Sequence, residues 1–417
     1  MIATVRRARS LRGDVPLPGD KSVSHRALML GAIAEGMSRV RGLLVGADVR
    51  STARCLRDLG VDIDGDTVVG KGLQGLRGAG APLYCGNSGT TMRLLAGLLA
   101  PREFESELSG DESLQGRPMD RVVEPLSRMG ANATWPPLRV GGRTPLRGIE
   151  YTTPVASAQV KSAILLAGLY ADGVTTVIEP VPTRDHTERM LRAMGVDVRS
   201  DDGRVQVTRP ERLRPLDLQI PGDLSAASFW LVAGGLVPGS RLRMPHVGLN
   251  PTRTAFVELL RRIGFSINTR VSGEAAGEPV GSLEVATSAQ LLPVHVDGRV
   301  AAGVIDELPA LAVAATQLPG TSRIAGAREL RVKESDRINA MAEGLTAMGA
   351  DITPLDDGWE IRGPHQLEGA RVRSYGDHRV AMALAVAGLI AGGDTHIEGA
   401  ECVDISYPGF FDQLETL

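Results

Sequence analysis

Residues 331–337 read Arg-Val-Lys-Glu-Ser-Asp-Arg and open a helical apolar pattern at Ile338, Met341, Leu345 and Met348. Cations at a helix start oppose the macrodipole, and Lys333 and Arg337, four apart on one helical face, repel each other. A bound anion would remove both penalties. Glu334 lies about 100° further round the same helix, near enough to meet that ligand without neutralising the pair. The competing use of the segment is a solvated helix start capped by Ser335 or Asp336.

Similar starts recur. Cys85-Gly-Asn87-Ser88-Gly89-Thr90-Thr91 supplies capping residues and glycines that let backbone N–H groups approach a ligand, without the Gly-Lys-Ser/Thr of a P-loop. Ser157-Ala158-Gln159-Val160-Lys161 enters another apolar helix, and Gly376-Asp377-His378-Arg379 precedes a third. Lys21, Arg26, Arg117, Lys333, Arg337 and Arg379 thus stand at or just before expected helix starts. Arginine grips phosphate or carboxylate with two parallel hydrogen bonds, so the natural complement is a substrate with more than one anionic group. Asp306 and Glu334 are the acids available for proton transfer, Asp306 having the alternative use of capping the helix that begins near Pro309. His25, His186 and His378 show no metal-ligand spacing and read as hydrogen-bonded structural residues, so no metal site is expected. Neither a Gly-x-Ser-x-Gly elbow nor a cysteine paired with a nearby histidine is present, so covalent catalysis is not indicated.

The elements that must position these residues come in repeats. Second helices end Cys-Leu-Arg-Asp-Leu-Gly60, Leu-Ser-Arg-Met-Gly130, Leu-Arg-Ala-Met-Gly195, Leu-Arg-Arg-Ile-Gly264 and Leu-Thr-Ala-Met-Gly349, with glycines 70, 65, 69 and 85 residues apart. Each glycine suits a left-handed C-terminal cap, and each is followed by strand-like alternation. A last unit closes at Phe411 to Leu417, giving six β/α units. Leu17-Pro-Gly-Asp-Lys-Ser22 and Ile220-Pro-Gly-Asp-Leu-Ser225 match best, so the six split as three plus three in two pseudo-symmetric domains, with the two Pro-Gly-Asp segments as crossings. The more apolar first helix of each unit is expected to be buried and the second exposed on one face. A solenoid of six stacked units is the alternative.

Composition agrees with two full domains: 417 residues, 43% hydrophobic and 23% charged, with 50 glycines for many tight turns. A net charge of −3 gives no bulk attraction to nucleic acid or membrane. Cys55, Cys85 and Cys402 cannot all pair and form no Cys-x-x-Cys, which points to a reducing compartment. The N-terminal charges lack a following apolar segment, and the longest apolar run, Val380 to Ile390, is too short to span a bilayer, so a cytoplasmic protein is expected.

With these residues in view, the chain resembles the 5-enolpyruvylshikimate-3-phosphate (EPSP) synthase family over essentially its whole length. The resemblance rests on Gly19-Asp20-Lys21-Ser22, Asn87-Ser88-Gly89-Thr90, Ser157-Ala158-Gln159, Asp306-Glu307-Leu308-Pro309, the segment Arg331 to Arg337, and Asp377-His378-Arg379, in order. It implies an α/β fold, a two-domain inside-out α/β barrel with six repeated β/α units, three per domain, in pseudo-threefold symmetry. The domains would be 20–223, and 1–19 plus 224–417, with the active site in the cleft between them. It implies transfer of the enolpyruvyl group of phosphoenolpyruvate to the 5-hydroxyl of shikimate 3-phosphate, by addition and elimination through a tetrahedral intermediate, in a cytoplasmic monomer without cofactor. Carried over, Lys21, Ser22, Arg26, Ser157, Ala158, Gln159, Arg184, Asp306 and Lys333 would hold shikimate 3-phosphate. Lys21, Gly89, Thr90, Arg117, Gln159, Arg337 and Arg379 would hold phosphoenolpyruvate. Asp306 would take the hydroxyl proton, Glu334 would protonate the methylene carbon, and Lys21 would stabilise the tetrahedral intermediate or assist proton transfer.

Two departures stand out. Ile405-Ser406-Tyr407-Pro408 lacks the lysine that the better-known form of the family carries there, and Arg184 replaces a tyrosine on the shikimate ring. Arg184-Asp-His-Thr-Glu188 and Asn250-Pro-Thr-Arg253 are instead similar to the class II, often glyphosate-tolerant, subgroup. The sister family, UDP-N-acetylglucosamine enolpyruvyl transferase, is the competing enzyme; its catalytic cysteine has no counterpart in Gly110 to Arg117. A two-lobed anion-binding protein would keep the cations without needing both Asp306 and Glu334.

Overall fold

The polar turns start helices by capping them. Asp20, Ser88, Ser157, Asp223, Asp336 and Asp377 each accept a hydrogen bond from a backbone N–H two or three residues on, satisfying donors the first turn leaves open. At the other end, Gly60, Gly130, Gly195, Gly264 and Gly349 hold φ between 87° and 100°, the left-handed cap that their shared phrase calls for.

The computed structural model describes residues 1–417, in two units. The N-terminal unit is Gly19–Ile220 with Glu274–Glu278; the C-terminal unit is Met1–Pro18, Pro221–Gly273 and Pro279–Leu417. Each unit has its own hydrophobic core. The N-terminal unit contains α1 (Lys21–Ala32), α2 (Ala47–Asp58), α3 (Gly89–Leu99), α4 (Glu112–Gln115), α5 (Asp120–Arg128), α6 (Ala158–Gly168) and α7 (His186–Ala193). The C-terminal unit contains α8 (Leu224–Leu236), α9 (Ala255–Arg262), α10 (Gly298–Val304), α11 (Leu308–Ala315), α12 (Arg337–Ala347), α13 (His378–Ile390) and α14 (Phe410–Glu415).

Five four-stranded sheets share one strand order, and a sixth sheet of three strands repeats its first pair. In the N-terminal unit these are Asp217–Gln219, Glu35–Arg41, Thr67–Lys71, Asp62–Asp64; Leu83–Tyr84, Ser106–Ser109, Leu138–Gly141, Asn132–Thr134; and Glu150–Thr152, Thr175–Ile178, Arg204–Val207, Val198–Asp201. In the C-terminal unit they are Arg12–Asp14, Arg241–Gly248, Glu278–Ala286, Ser266–Ala275; His295–Val296, Gly320–Ile324, Gly358–Gly363, Asp351–Leu355; and Arg371–Arg373, Thr395–Glu398, Ile2–Val5. In every sheet the first pair is parallel and the second antiparallel. The sixth repeat is incomplete, which corrects the expectation of six equal copies. Its hairpin is missing, and the N-terminal strand Ile2–Val5 takes the place against Thr395–Glu398. The chain beyond instead feeds Tyr407 and Phe410 into an aromatic cluster with Phe229 and Trp230.

The first helix of each repeat is buried along nearly its whole length, whereas α2, α5, α7 and α9 bury one face. Packing of α3 on α6 matters most for the site. Leu94, Leu95, Leu98 and Leu99 are fully buried, each contributing roughly 1.5–3 kcal/mol. Gly97 lets the two backbones approach, since a Cβ there would lie 2.3 Å from the Ala163 carbonyl oxygen. A side chain at Gly97 would therefore part the two helix starts that carry Thr90 and Gln159. No helix is long and apolar enough to cross a membrane.

Candidate active site

In the N-terminal unit, charged and polar side chains gather at the starts of α1, α3 and α6. Lys21, the first residue of α1, places Nζ 2.5 Å from Asp48 Oδ2 at the start of α2. Ser22 follows it. Arg26, one turn on rather than at the helix start, donates from Nε to Thr187 (2.7 Å), from Nη1 to the Ser22 carbonyl (3.0 Å) and from Nη2 to Ser162 (2.8 Å). Burial pushes its pKa down to about 10 against the pull of Glu188 and Asp20, and Arg184 adds to the fall. Arg26 remains charged at neutral pH. Beneath it, His25 Nδ1 meets Thr52 at 2.7 Å, Thr52 meets Thr91 at 2.7 Å, and Thr91 donates to Ser88, a buried chain joining α1, α2 and α3. His25 is held neutral: burial lowers its pKa well below the ordinary value, and Lys21 and Arg26 lower it further.

At the start of α3, Thr90 Oγ1 accepts from Gln159 Nε2 (2.9 Å), and Gln159 Oε1 accepts from Arg93 Nη1 (2.5 Å). Arg117, between α4 and α5, donates to Asn87 Oδ1 at 2.5 Å. A Cβ on Gly89 would lie 2.9 Å from Arg93 Nη1 and 3.5 Å from Arg117 Nη1, so these two guanidiniums flank that glycine. Ser157 caps α6, and Ala158 begins it. Four residues into that motif, Lys161 is 1% exposed and lies 2.7 Å from both Glu179 and Glu188. Burial opposes its charge, but the two carboxylates more than offset this and raise its pKa. Glu179 also accepts from Thr183, which ties down the segment carrying Arg184.

In the C-terminal unit, three cations surround Asp306. Its carboxylate lies 3.7 Å from Lys333 Nζ, 3.5 Å from Arg337 Nη1 and 3.8 Å from Arg379 Nη2, and its carbonyl accepts from Arg379 Nη1 (2.9 Å). Arg337, 1% exposed, also pairs with Asp377 (2.8 Å) and Glu334 (2.5 Å). Burial would lower its pKa; Asp377, Glu334 and Asp306 outweigh that and raise it. Arg337 Nη1 is nonetheless buried without a hydrogen-bond partner. An unsatisfied buried donor costs about 1–3 kcal/mol, which a bound anion would recover.

The expected site residues thus form two arrays, one in each unit. Two local expectations fail. Lys333 and Arg337 do not share a helical face: Asp336 caps the helix by accepting from Ile338 and Asn339, so α12 starts at Arg337 and Lys333 lies in the bend before it. Glu334 is not held apart from the cations but bonds Arg337 directly. Of the two uses open to Asp306, capping α11 is not the one adopted: Glu307 occupies that position, leaving Asp306 to face the cations. Arg93, Asn87, Asp48 and Asp377 were absent from the expected site. Arg93 was legible, standing four residues after Gly89 on one helical face; nothing in the sequence pairs Asp48 with Lys21. No group of His, Cys, Asp and Glu is arranged to hold a metal ion.

Comparison with known proteins agrees along the whole chain. The family model described as EPSP synthase (3-phosphoshikimate 1-carboxyvinyltransferase) matches residues 5–414. Proteins named 3-phosphoshikimate 1-carboxyvinyltransferase from Bacillus thuringiensis subsp. konkukian and Bacillus cereus are each 50% identical over 417 residues, covering 98% of this chain and 97% of the relative. A solved EPSP synthase from Acinetobacter baumannii, 42% identical, superposes with a TM-score of 0.88 over 100% of this chain and 97% of that one.

Proposed function

The chain belongs to the EPSP synthase family, and from that premise we propose how its side chains carry enolpyruvyl transfer from phosphoenolpyruvate to the 5-hydroxyl of shikimate 3-phosphate, with release of phosphate. Lys21, Ser22, Arg26, Ser157, Ala158, Gln159, Arg184 and Lys333 hold shikimate 3-phosphate. Arg117, Arg337, Arg379, Lys21, Gln159 and the Gly89-Thr90 turn hold phosphoenolpyruvate. The reaction draws on both units, proposed as domains of three β/α repeats in pseudo-threefold symmetry, helices inside and sheets outside. The shared strand order and the buried first helices support that arrangement. A cytoplasmic monomer working without metal or organic cofactor completes the proposal.

The observation that carries the mechanism is Asp306 set among Lys333, Arg337 and Arg379 at 3.5–3.8 Å. These cations pair with Asp306, and Arg337 pairs with Glu334 as well. Substrate phosphate and carboxylate compete for the same guanidiniums, and that competition releases the two acids for proton work. Asp306 then accepts the 5-hydroxyl proton as the oxygen attacks C2 of phosphoenolpyruvate. Glu334 delivers a proton to the methylene carbon, and Lys21 stabilises the tetrahedral intermediate. Return of a methyl proton to the Glu334 carboxylate, with departure of phosphate, restores the double bond.

The test follows phosphate release from phosphoenolpyruvate with shikimate 3-phosphate and, in parallel, UDP-N-acetylglucosamine as acceptor. Release with shikimate 3-phosphate alone is expected. Release with the sugar nucleotide alone would move the chain to the sister transferase, which the comparisons do not favour.

A further inference from the structure

Asn250-Pro251-Thr252-Arg253 precedes α9 and is used by nothing in the mechanism above. The segment is tied to itself: Asn250 Oδ1 accepts from Thr252 N (2.9 Å) and Thr252 Oγ1 (2.8 Å), and the Asn250 carbonyl accepts from Arg253 N (2.8 Å). It drives Arg253 into the C-terminal unit until 6% of the residue remains exposed. There Nη2 donates to Ser225 Oγ and to Glu307 Oε1 (3.3 Å), with Asp223 Oδ1 3.6 Å away. Ser225 Oγ in turn donates to Glu307 Oε1. Arg253 Nε and Nη1 are buried without hydrogen-bond partners. An arginine that leaves donors unsatisfied is poorly explained by stability alone.

What it holds is Glu307, 3% exposed and next in sequence to Asp306. Residues 305–307 are the whole link between α10 and α11. The direction of the Asp306 carboxylate is set by the backbone of that link. One side is fixed by Arg379, which donates to the Asp306 carbonyl at 2.9 Å; the other is fixed by the Glu307 side chain. A buried carboxylate keeps its place only while a cation answers it.

We propose that Arg253 is a positioning residue for Asp306, acting through Glu307 and Ser225 to aim the base at the substrate hydroxyl. The inference rests on the role given to Asp306 above. It differs from a stabilising ion pair in what it predicts for kinetics, because misplacing a base by about 1 Å can cost on the order of 10²-fold in turnover while leaving substrate contacts intact.

The experiment measures kcat and both KM values for Arg253→Met and Arg253→Lys, in the natural chain and in an Asp306→Asn background, with unfolding midpoints alongside. Arg253→Met is expected to lower kcat roughly 30-fold with KM values changed less than about 3-fold, and Arg253→Lys to recover most of the loss. With Asn at 306 there is no base left to aim, so Arg253→Met is expected to cost less than about 2-fold there. An equal loss in both backgrounds, a rise in KM at unchanged kcat, or no recovery with lysine overturns the proposal. If Asp306→Asn alone leaves turnover intact, the base assignment fails and the proposal falls with it. Should Arg253→Met not fold, Ser225→Ala removes the bridging hydroxyl and is expected to lower kcat a few-fold, again only when Asp306 is present.

Discussion

Pro18-Gly19-Asp20-Lys21-Ser22 and Pro221-Gly222-Asp223-Leu224-Ser225 begin the first helix of each unit with the same cap, yet they place charge differently. In the N-terminal unit the cation is on the helix, Lys21, and its carboxylate, Asp48, comes from the start of the second helix. In the C-terminal unit the helix carries Leu224, and the cation, Arg253, comes from the turn before the second helix to meet Asp223 and Glu307. The wider arrays differ in the same spirit. Arg26 donates to hydroxyl and carbonyl oxygens, Arg93 to the Gln159 amide oxygen and the Pro118 carbonyl, and Arg117 to the Asn87 amide oxygen. Lys333, Arg337 and Arg379 are answered by carboxylates: Asp306 meets all three cations, and Arg337 also meets Glu334 and Asp377. A repeated backbone therefore carries an arginine cluster bonded to neutral oxygens in one unit and a cluster of ion pairs in the other, because the cap fixes the helix and leaves neighbouring side chains open to change.

That contrast predicts a graded set of effects. Removing the base should be the most damaging: Asp306→Asn is expected to lower kcat about 10²–10⁴-fold in phosphate release at saturating substrates. A loss below tenfold would make the C-terminal array a second binding site and erase the contrast. Lys161→Met tests whether the N-terminal unit's buried carboxylates are structural. It strands Glu179 and Glu188 and should cost about 3–5 kcal/mol in denaturant unfolding. Arg117→Ala removes one grip on the anion; charged hydrogen bonds contribute about 1.5–3 kcal/mol, so KM for phosphoenolpyruvate should rise roughly 10–100-fold with the unfolding midpoint unchanged. Gly89→Ala pushes on the flexible ends of Arg93 and Arg117. An off-rotamer shift of about 0.5–1.5 kcal/mol should raise that KM roughly 2–10-fold and spare shikimate 3-phosphate.

The smallest effect concerns pH. His25 has a folded pKa below its unfolded value of about 6.5, so the unfolded chain binds more protons as pH falls below that value. Its contribution to stability is fully present above about pH 6.5 and is lost progressively as pH falls toward the folded value. Unfolding midpoints between about pH 5 and 7.5 should show a shallower acid slope for His25→Gln, whose amide can still meet Thr52. An unchanged slope would mean that neither burial nor the neighbouring cations hold His25 neutral.

The repeats were legible because they rest on short-range rules. Asp20, Ser88 and Ser157 cap from within three residues, and Gly60 through Gly349 need φ > 0 whatever surrounds them. The start of α12 was misread because two acceptors, Ser335 and Asp336, compete within a few residues, and only Asp336 reaches both Ile338 and Asn339. The closing strands were not legible at all. Asp217–Gln219 joins Glu35–Arg41, and Arg12–Asp14 joins Arg241–Gly248, pairings that no local pattern announces. The family motifs put Asp306, Glu334, Arg337 and Arg379 on one list, but not the fact that Arg337 would be wrapped by three carboxylates.

By itself, then, the sequence determined most of the helix caps and glycine stops, the recurrence of a β/α unit and the family. Each depends on φ preferences, side-chain reach to the next turn, or an ordered string of motifs. Tertiary structure alone decided which carboxylate answers which cation: Asp48 for Lys21, Glu179 and Glu188 for Lys161, Asp306 for Arg379 and Glu307 for Arg253. Electrostatic pairing depends on distance and burial, and those are set by packing between segments many residues apart in the chain.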